Sequence, residues 1–129
     1  MYTIHLDKEN RLIRADLSGR INRDEVMSYF ADLVNIIQPL KQEEYSMILS
    51  IEKLDPLPQE LLPIMVECMV CILRNLDRIA VVHKKVVTRM QFQRIIILAC
   101  LYDNIKDKFY NFNSTADAVR FLKNHRRNP

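Results

Sequence analysis

Short runs of β-forming residues alternate with segments of helical period along the whole chain, and this alternation limits the fold more than any other feature. Tyr2 to Leu6 and Leu12 to Leu17 both alternate apolar and polar residues, with the polar stretch Asp7-Lys8-Glu9-Asn10 between them. That is the pattern of a β-hairpin. Ser18-Gly19 closes the second strand, and Asn22-Arg23-Asp24-Glu25 opens a helix in which Asn22 can cap and Glu25 can reach back. Val26, Tyr29, Phe30, Leu33, Ile36 and Ile37 fall at helical spacing, and Pro39 ends the segment.

The pattern then repeats. Ser46 to Ile51 reads as a strand covered on both faces, and Asp55-Pro56-Leu57-Pro58 breaks it. An apolar helix follows, from about Gln59 or Pro63 to Asn75, with Pro63 at its start or at a kink. Ile79 to His83 is a second buried-type strand, and residues from about Thr88 to Tyr102 read as a helix, although Ile95-Ile96-Ile97 alone has strand character. Lys108 to Phe112 is a short aromatic strand. Ser114-Thr115-Ala116-Asp117 caps a last helix that turns Ala118, Phe121 and Leu122 inwards. The tail Arg126 to Pro129 reads as frayed. The order ββαβαβαβα predicts one α/β domain over residues 1–129, a mixed, mostly parallel five-stranded sheet with four helices.

Composition excludes more than it suggests. Gly19 is the one glycine, so loops that cradle phosphate on closely approaching backbone amides are absent, as is a Gly-x-Ser-x-Gly nucleophile elbow. The net charge of +3 is too slight to predict a nucleic-acid partner. The longest apolar run, Ile95 to Leu101, is too short to span a bilayer, so no membrane insertion is expected. The N-terminal residues read as a strand and not as a secretion signal, and Cys68, Cys71 and Cys100 lie in apolar surroundings. Both observations point to a reducing, cytoplasmic setting.

Three phrases in this order resemble the STAS or SpoIIAA-like superfamily, whose best-known members are bacterial anti-sigma-factor antagonists. They are Leu17-Ser18-Gly19-Arg20-Ile21-Asn22 running into an acidic helix start, the apolar strand ending at Asp55 before a helix, and Tyr110-Asn111-Phe112 followed by Ser114 to Leu122. The resemblance spans nearly the whole chain and implies a STAS-like fold and a regulatory protein partner. Regulatory members carry a phosphorylatable serine directly after the Asp that precedes the second helix. Here Asp55 is followed by Pro56, Leu57 and Pro58, with no hydroxyl before Thr88, so the switch residue is missing.

Candidate sites are few. Cys68 and Cys71 have C-x-x-C spacing but sit inside an apolar helix, away from the N-terminal position that activates a thiol, and no second pair completes a zinc site. Core packing is the plainer reading, and no metal or other cofactor is expected. Lys84, Lys85 and Arg89 follow a strand end, where they form either a solvated turn or a contact for an anion or an acidic partner. Glu52, Asp55 and Glu60 read as caps and surface charges, His5 and His125 lie at opposite chain ends, and no catalytic arrangement emerges.

The helix from Pro63 to Leu73 is apolar nearly all round. Its residues Met65, Cys68, Met69 and Ile72 are candidates for a homodimer interface, for the wall of an apolar pocket, or for plain core. The leading expectation is a non-catalytic, self-associating interaction module. The alternative is a binder of a small apolar or lipid-like ligand, lined by Met65, Met69 and Ile95 to Leu98.

Overall fold

The computed structural model describes residues 1–103 and 108–124. The sequence expectations for His125 and for the tail from Arg126 lie outside these residues. Five strands are present: β1 (Tyr2–Asp7), β2 (Leu12–Gly19), β3 (Tyr45–Leu54), β4 (Leu76–Val82) and β5 (Phe109–Phe112). The helices are α1 (Arg23–Ile37), α2 (Leu62–Leu73), α3 (Val86–Asp103) and α4 (Thr115–Asn124), and a 3-10 turn at Gln59–Leu61 leads into α2. This is the predicted ββαβαβαβα order. Both starts read for the second helix mark real features, the 3-10 turn at Gln59 and a helix with Pro63 in its first turn.

The sheet runs β1-β2-β3-β4-β5 in simple sequence order. β1 pairs antiparallel with β2, and every later pair is parallel. The hairpin forms because Asp7 accepts from the backbone N–H and the side-chain amide of Asn10, at 3.1 and 2.8 Å. Those bonds hold the Asp7 carboxyl below its usual range. Gly19 ends β2 at φ +67°, a conformation that side chains disfavour, and this bend delivers the chain to Asn22. Asn22 then caps α1, its side-chain oxygen accepting from the Glu25 N–H at 2.9 Å. The Glu25 carboxylate, expected to reach back to the cap, lies instead 2.9 Å from the Met1 ammonium.

Strand alternation separates two apolar layers. Ile13, Ala15, Leu17, Met47, Leu49, Ile51, Ile79 and Val81 face α1, α2 and α3, which together build the main core. Leu12, Ile48, Ala80 and Val82 face the other way and pack with Ala118 and Leu122 of α4, flanked by Val119, Phe121 and, from β5, Phe112. Three crossovers that each step to the next strand in the same direction place their helices on one face. α2 is therefore the middle helix, with α1 and α3 on its flanks and the sheet beneath it.

Lys108 ties the ends of this layer together. Its ammonium donates to the carbonyls of Leu73 and Leu76 at 2.9 and 3.0 Å and lies 3.5 Å from the Glu43 carboxylate. A cation at the last carbonyls of α2 complements the helix dipole. Among the described residues, no buried side-chain nitrogen or oxygen lacks a hydrogen-bond partner, and no helix is long and apolar enough to cross a membrane.

Two local features carry measurable stability. Asn22→Ala removes the α1 cap and is expected to cost about 1 kcal/mol. Gly19→Ala meets no atom within 4 Å, so its cost is purely conformational, about 1–2 kcal/mol for the left-handed backbone. Urea unfolding of both variants measures these values, and an unchanged midpoint for either would contradict its assignment.

Candidate functional site

The loop at which the resemblance places a phosphorylation switch is clamped from α3. Thr88, fully buried, donates its hydroxyl to the Leu54 carbonyl at 3.1 Å. The Gln91 side-chain amide makes a two-point pair with Leu57, accepting from its N–H at 2.8 Å and donating to its carbonyl at 2.9 Å. The Asp55 N–H donates to the Gly19 carbonyl at 3.1 Å, and the Asp55 carboxylate lies 3.4 Å from the Lys85 ammonium. With Pro56 and Pro58 restricting the backbone as well, these bonds make the loop a fixed connection. Thr88 and Gln91 had no place among the candidate residues read from the sequence. Their signal is a polar residue in or beside a helix's inward stripe, which calls for a buried partner.

The basic cluster after β4 divides three ways. Lys85 turns to Asp55, Lys84 is exposed, and Arg89 lies on one flank of α3 beside Gln93. There Arg89 and Gln93 line a notch with His83, Asn111, Phe112 and Asn113, about 320 Å³ in volume. The backbone joins its two walls, since the His83 N–H donates to the Phe112 carbonyl at 3.0 Å. Burial, and then the nearby Arg89 charge, hold the His83 imidazole below its ordinary value.

Met65, Cys68, Met69 and Ile72 are turned inwards. Each is 2–3% exposed and packs in the main core. Their candidacy as interface or pocket residues is therefore corrected to core, because the inner side of the middle helix rests on the sheet. Cys71, three residues after Cys68, is exposed. Burial first, and Cys71 second, push the Cys68 thiol up to about 12, which favours its protonated form. Among the described residues, no cluster of His, Cys, Asp and Glu could hold a metal ion.

The open apolar surface lies on the outer side of α2 and α3. A groove of about 590 Å³ runs between them, walled by Leu62, Val66, Val70 and Cys71 on α2 and by Arg94 and Leu98 on α3. Leu98 belonged to the pocket stretch read from the sequence, whereas Ile95 is fully buried. Beside the groove, α3 carries a second apolar stripe. Thr88, Phe92, Ile95 and Ala99 point into the core, while Val86, Met90, Ile97 and Leu101 are 59–78% exposed. At 100° per residue the two stripes lie about half a turn apart, so the exposed one forms an outward ridge. This ridge was legible in principle as a second helical period, out of phase with the first.

Solved structures share the architecture. An uncharacterised DUF3478-family protein with a SpoIIAA-like fold from Shewanella loihica PV-4 superimposes with a TM-score of 0.70 at 14% identity, over 95% of this chain and 92% of that one. The anti-sigma factor antagonist SpoIIAA in its unphosphorylated form gives 0.66 at 11% identity, over 98% of this chain and 100% of that one. An anti-sigma factor antagonist from Mycobacterium paratuberculosis gives 0.60 at 11% identity, over 95% of each chain. No family model matches the chain, and no curated protein sequence does so significantly. The fold is thus SpoIIAA-like, as the resemblance implied, and at these identities the likeness concerns the fold alone.

Two outcomes test this geometry. Gln91→Ala strands the buried backbone groups of Leu57 and is expected to cost about 1–3 kcal/mol. Amide exchange at Leu57 should accelerate with it, and unchanged exchange would show that the clamp does not hold the loop. With a thiol reagent at pH 8, Cys71 should react rapidly and Cys68 only on unfolding. A fast phase that survives in a Cys71→Ser variant and maps to Cys68 would contradict the core placement.

Proposed function

We propose that the chain is a non-catalytic protein-interaction module without a phosphoserine switch, and that it self-associates through the outer face of α2 and α3. The observation that carries this reading is the outward ridge of Val86, Met90, Ile97 and Leu101 lying beside an apolar groove of the same chain. Contiguous exposed apolar surface of this kind marks an interaction site. A ridge next to a groove is self-complementary under a two-fold axis, as an isologous dimer requires.

Charge placement supports the same arrangement. Glu67 lines the α2 wall of the groove and Arg94 the α3 wall, and neither forms an ion pair among the described residues. Between two copies each Arg94 meets the other copy's Glu67, so one pairing occurs twice. The clamped Asp55–Pro58 loop suits a constitutive module, because it offers no hydroxyl to modify and little freedom to move. A regulatory protein partner and a cytoplasmic setting belong with this reading. The unbridged thiols of Cys68 and Cys71 are compatible with a reducing compartment.

A second reading rests on the groove's chemistry. Its walls are largely apolar with one guanidinium, which also suits an amphipathic ligand with an anionic head. Light scattering after size exclusion, combined with native mass spectrometry, separates the two. Self-association predicts a dimer without added mass, lost in Ile97→Glu, weakened in Arg94→Glu and restored when Glu67→Arg is combined with Arg94→Glu. Ile97 is 61% exposed, so its substitution leaves the core intact. A monomer at concentrations on the order of 100 µM would overturn self-association at useful affinity, and a monomer with bound lipid would establish the second reading.

A further inference from the structure

We propose that the notch at the carboxyl ends of β4 and β5 binds a phosphate group. Three elements contribute to it: His83 after β4, Arg89 and Gln93 one turn apart on α3, and Asn111 and Asn113 at the end of β5, with Phe112 between them. A guanidinium, an imidazole and three carboxamides can all donate hydrogen bonds, and among the described residues no carboxylate lines the notch. Such a set offers more donors than a carboxylate can use and matches the three terminal oxygens of a phosphate group.

The electrostatics favour an anion. Arg89 forms no ion pair among the described residues. Its charge acts on the His83 imidazole, which is partly buried and held below its ordinary value. An anion placed beside the pair offsets the repulsion that disfavours the charged imidazole. Lys85 is engaged by Asp55, and neither it nor the exposed Lys84 lines the notch. The walls are tied by the backbone bond from His83 to Phe112, so the backbone carrying the donors is fixed and only exposed side chains are ordered on binding. The notch is open to solvent and about 320 Å³ in volume. That suits a phosphate group with a small substituent. The site lies across α3 from the apolar groove, and it does not depend on the chain being an interaction module.

The test is a ¹H–¹⁵N titration at constant ionic strength with three probes: inorganic phosphate, glycerol phosphate and acetate. Saturable shifts confined to His83, Arg89, Gln93, Asn111 and Asn113 are expected with the phosphates and not with acetate. Equal affinity for the two phosphates assigns the site to free phosphate, and tighter glycerol phosphate assigns it to a phosphorylated small molecule. Arg89→Met should weaken binding about tenfold or more, the loss of one charge-assisted pair. Asn113→Asp should abolish it through repulsion, and Lys85→Met should leave it unchanged. Arg89 and Asn113 are exposed, so these variants keep their fold, which their own spectra verify. Non-saturating shifts, equal response to acetate, or full affinity in both Arg89→Met and Asn113→Asp would overturn the assignment.

Discussion

The rest of the structure depends on one topological constraint, a sheet that grows strand by strand in one direction. Because β2, β3, β4 and β5 are added in order, their three crossover helices share a face, and α2 has a neighbour on either side. An open sheet that reverses direction has a crevice at the reversal, where ligands commonly bind. This sheet has no reversal. Its candidate surfaces therefore lie between helices and beyond strand ends, where side chains and not a splayed sheet provide the walls.

That constraint also explains which parts of the molecule were legible in the sequence. The hairpin, the α1 cap at Asn22 and the order of elements follow from local pattern, since each depends on residues close in sequence. The role of α2 does not. Its nearly uniform apolarity is the same whether a second copy, a ligand or a neighbouring helix covers it. Only the placement of α1 and α3 on its flanks shows that Met65, Cys68, Met69 and Ile72 belong to the chain's own core. The exposed stripe of α3 was obscured for the opposite reason. Apolar residues on two opposite sides of one helix blur the amphipathic period, so Val86, Met90, Ile97 and Leu101 do not stand out from the core positions between them.

Polar anchors escaped local reading as well. Gln91 is unremarkable as a helical residue, and its pairing with Leu57 spans 34 positions of sequence. The same holds for Thr88 and Leu54. Together they convert a loop containing two prolines into a rigid edge of α3. The resemblance implied a switch serine directly after Asp55, and Pro56 stands there. The bonds that hold this loop to the neighbouring helix required the three-dimensional arrangement.

The unequal division of apolar side chains across the sheet has a consequence for how the molecule breathes. Among the described residues α4 alone covers the second face, through Ala118, Leu122 and the contact of Phe121 with Tyr110 and Phe112, with Arg78 over two of these rings. The three helices opposite share a far larger set of buried residues. A segment held by so few contacts opens at a lower free energy than the whole domain. Among the described residues α4 thus rests on a smaller apolar layer than the three helices opposite, which places its opening at the low end of the domain's local stabilities.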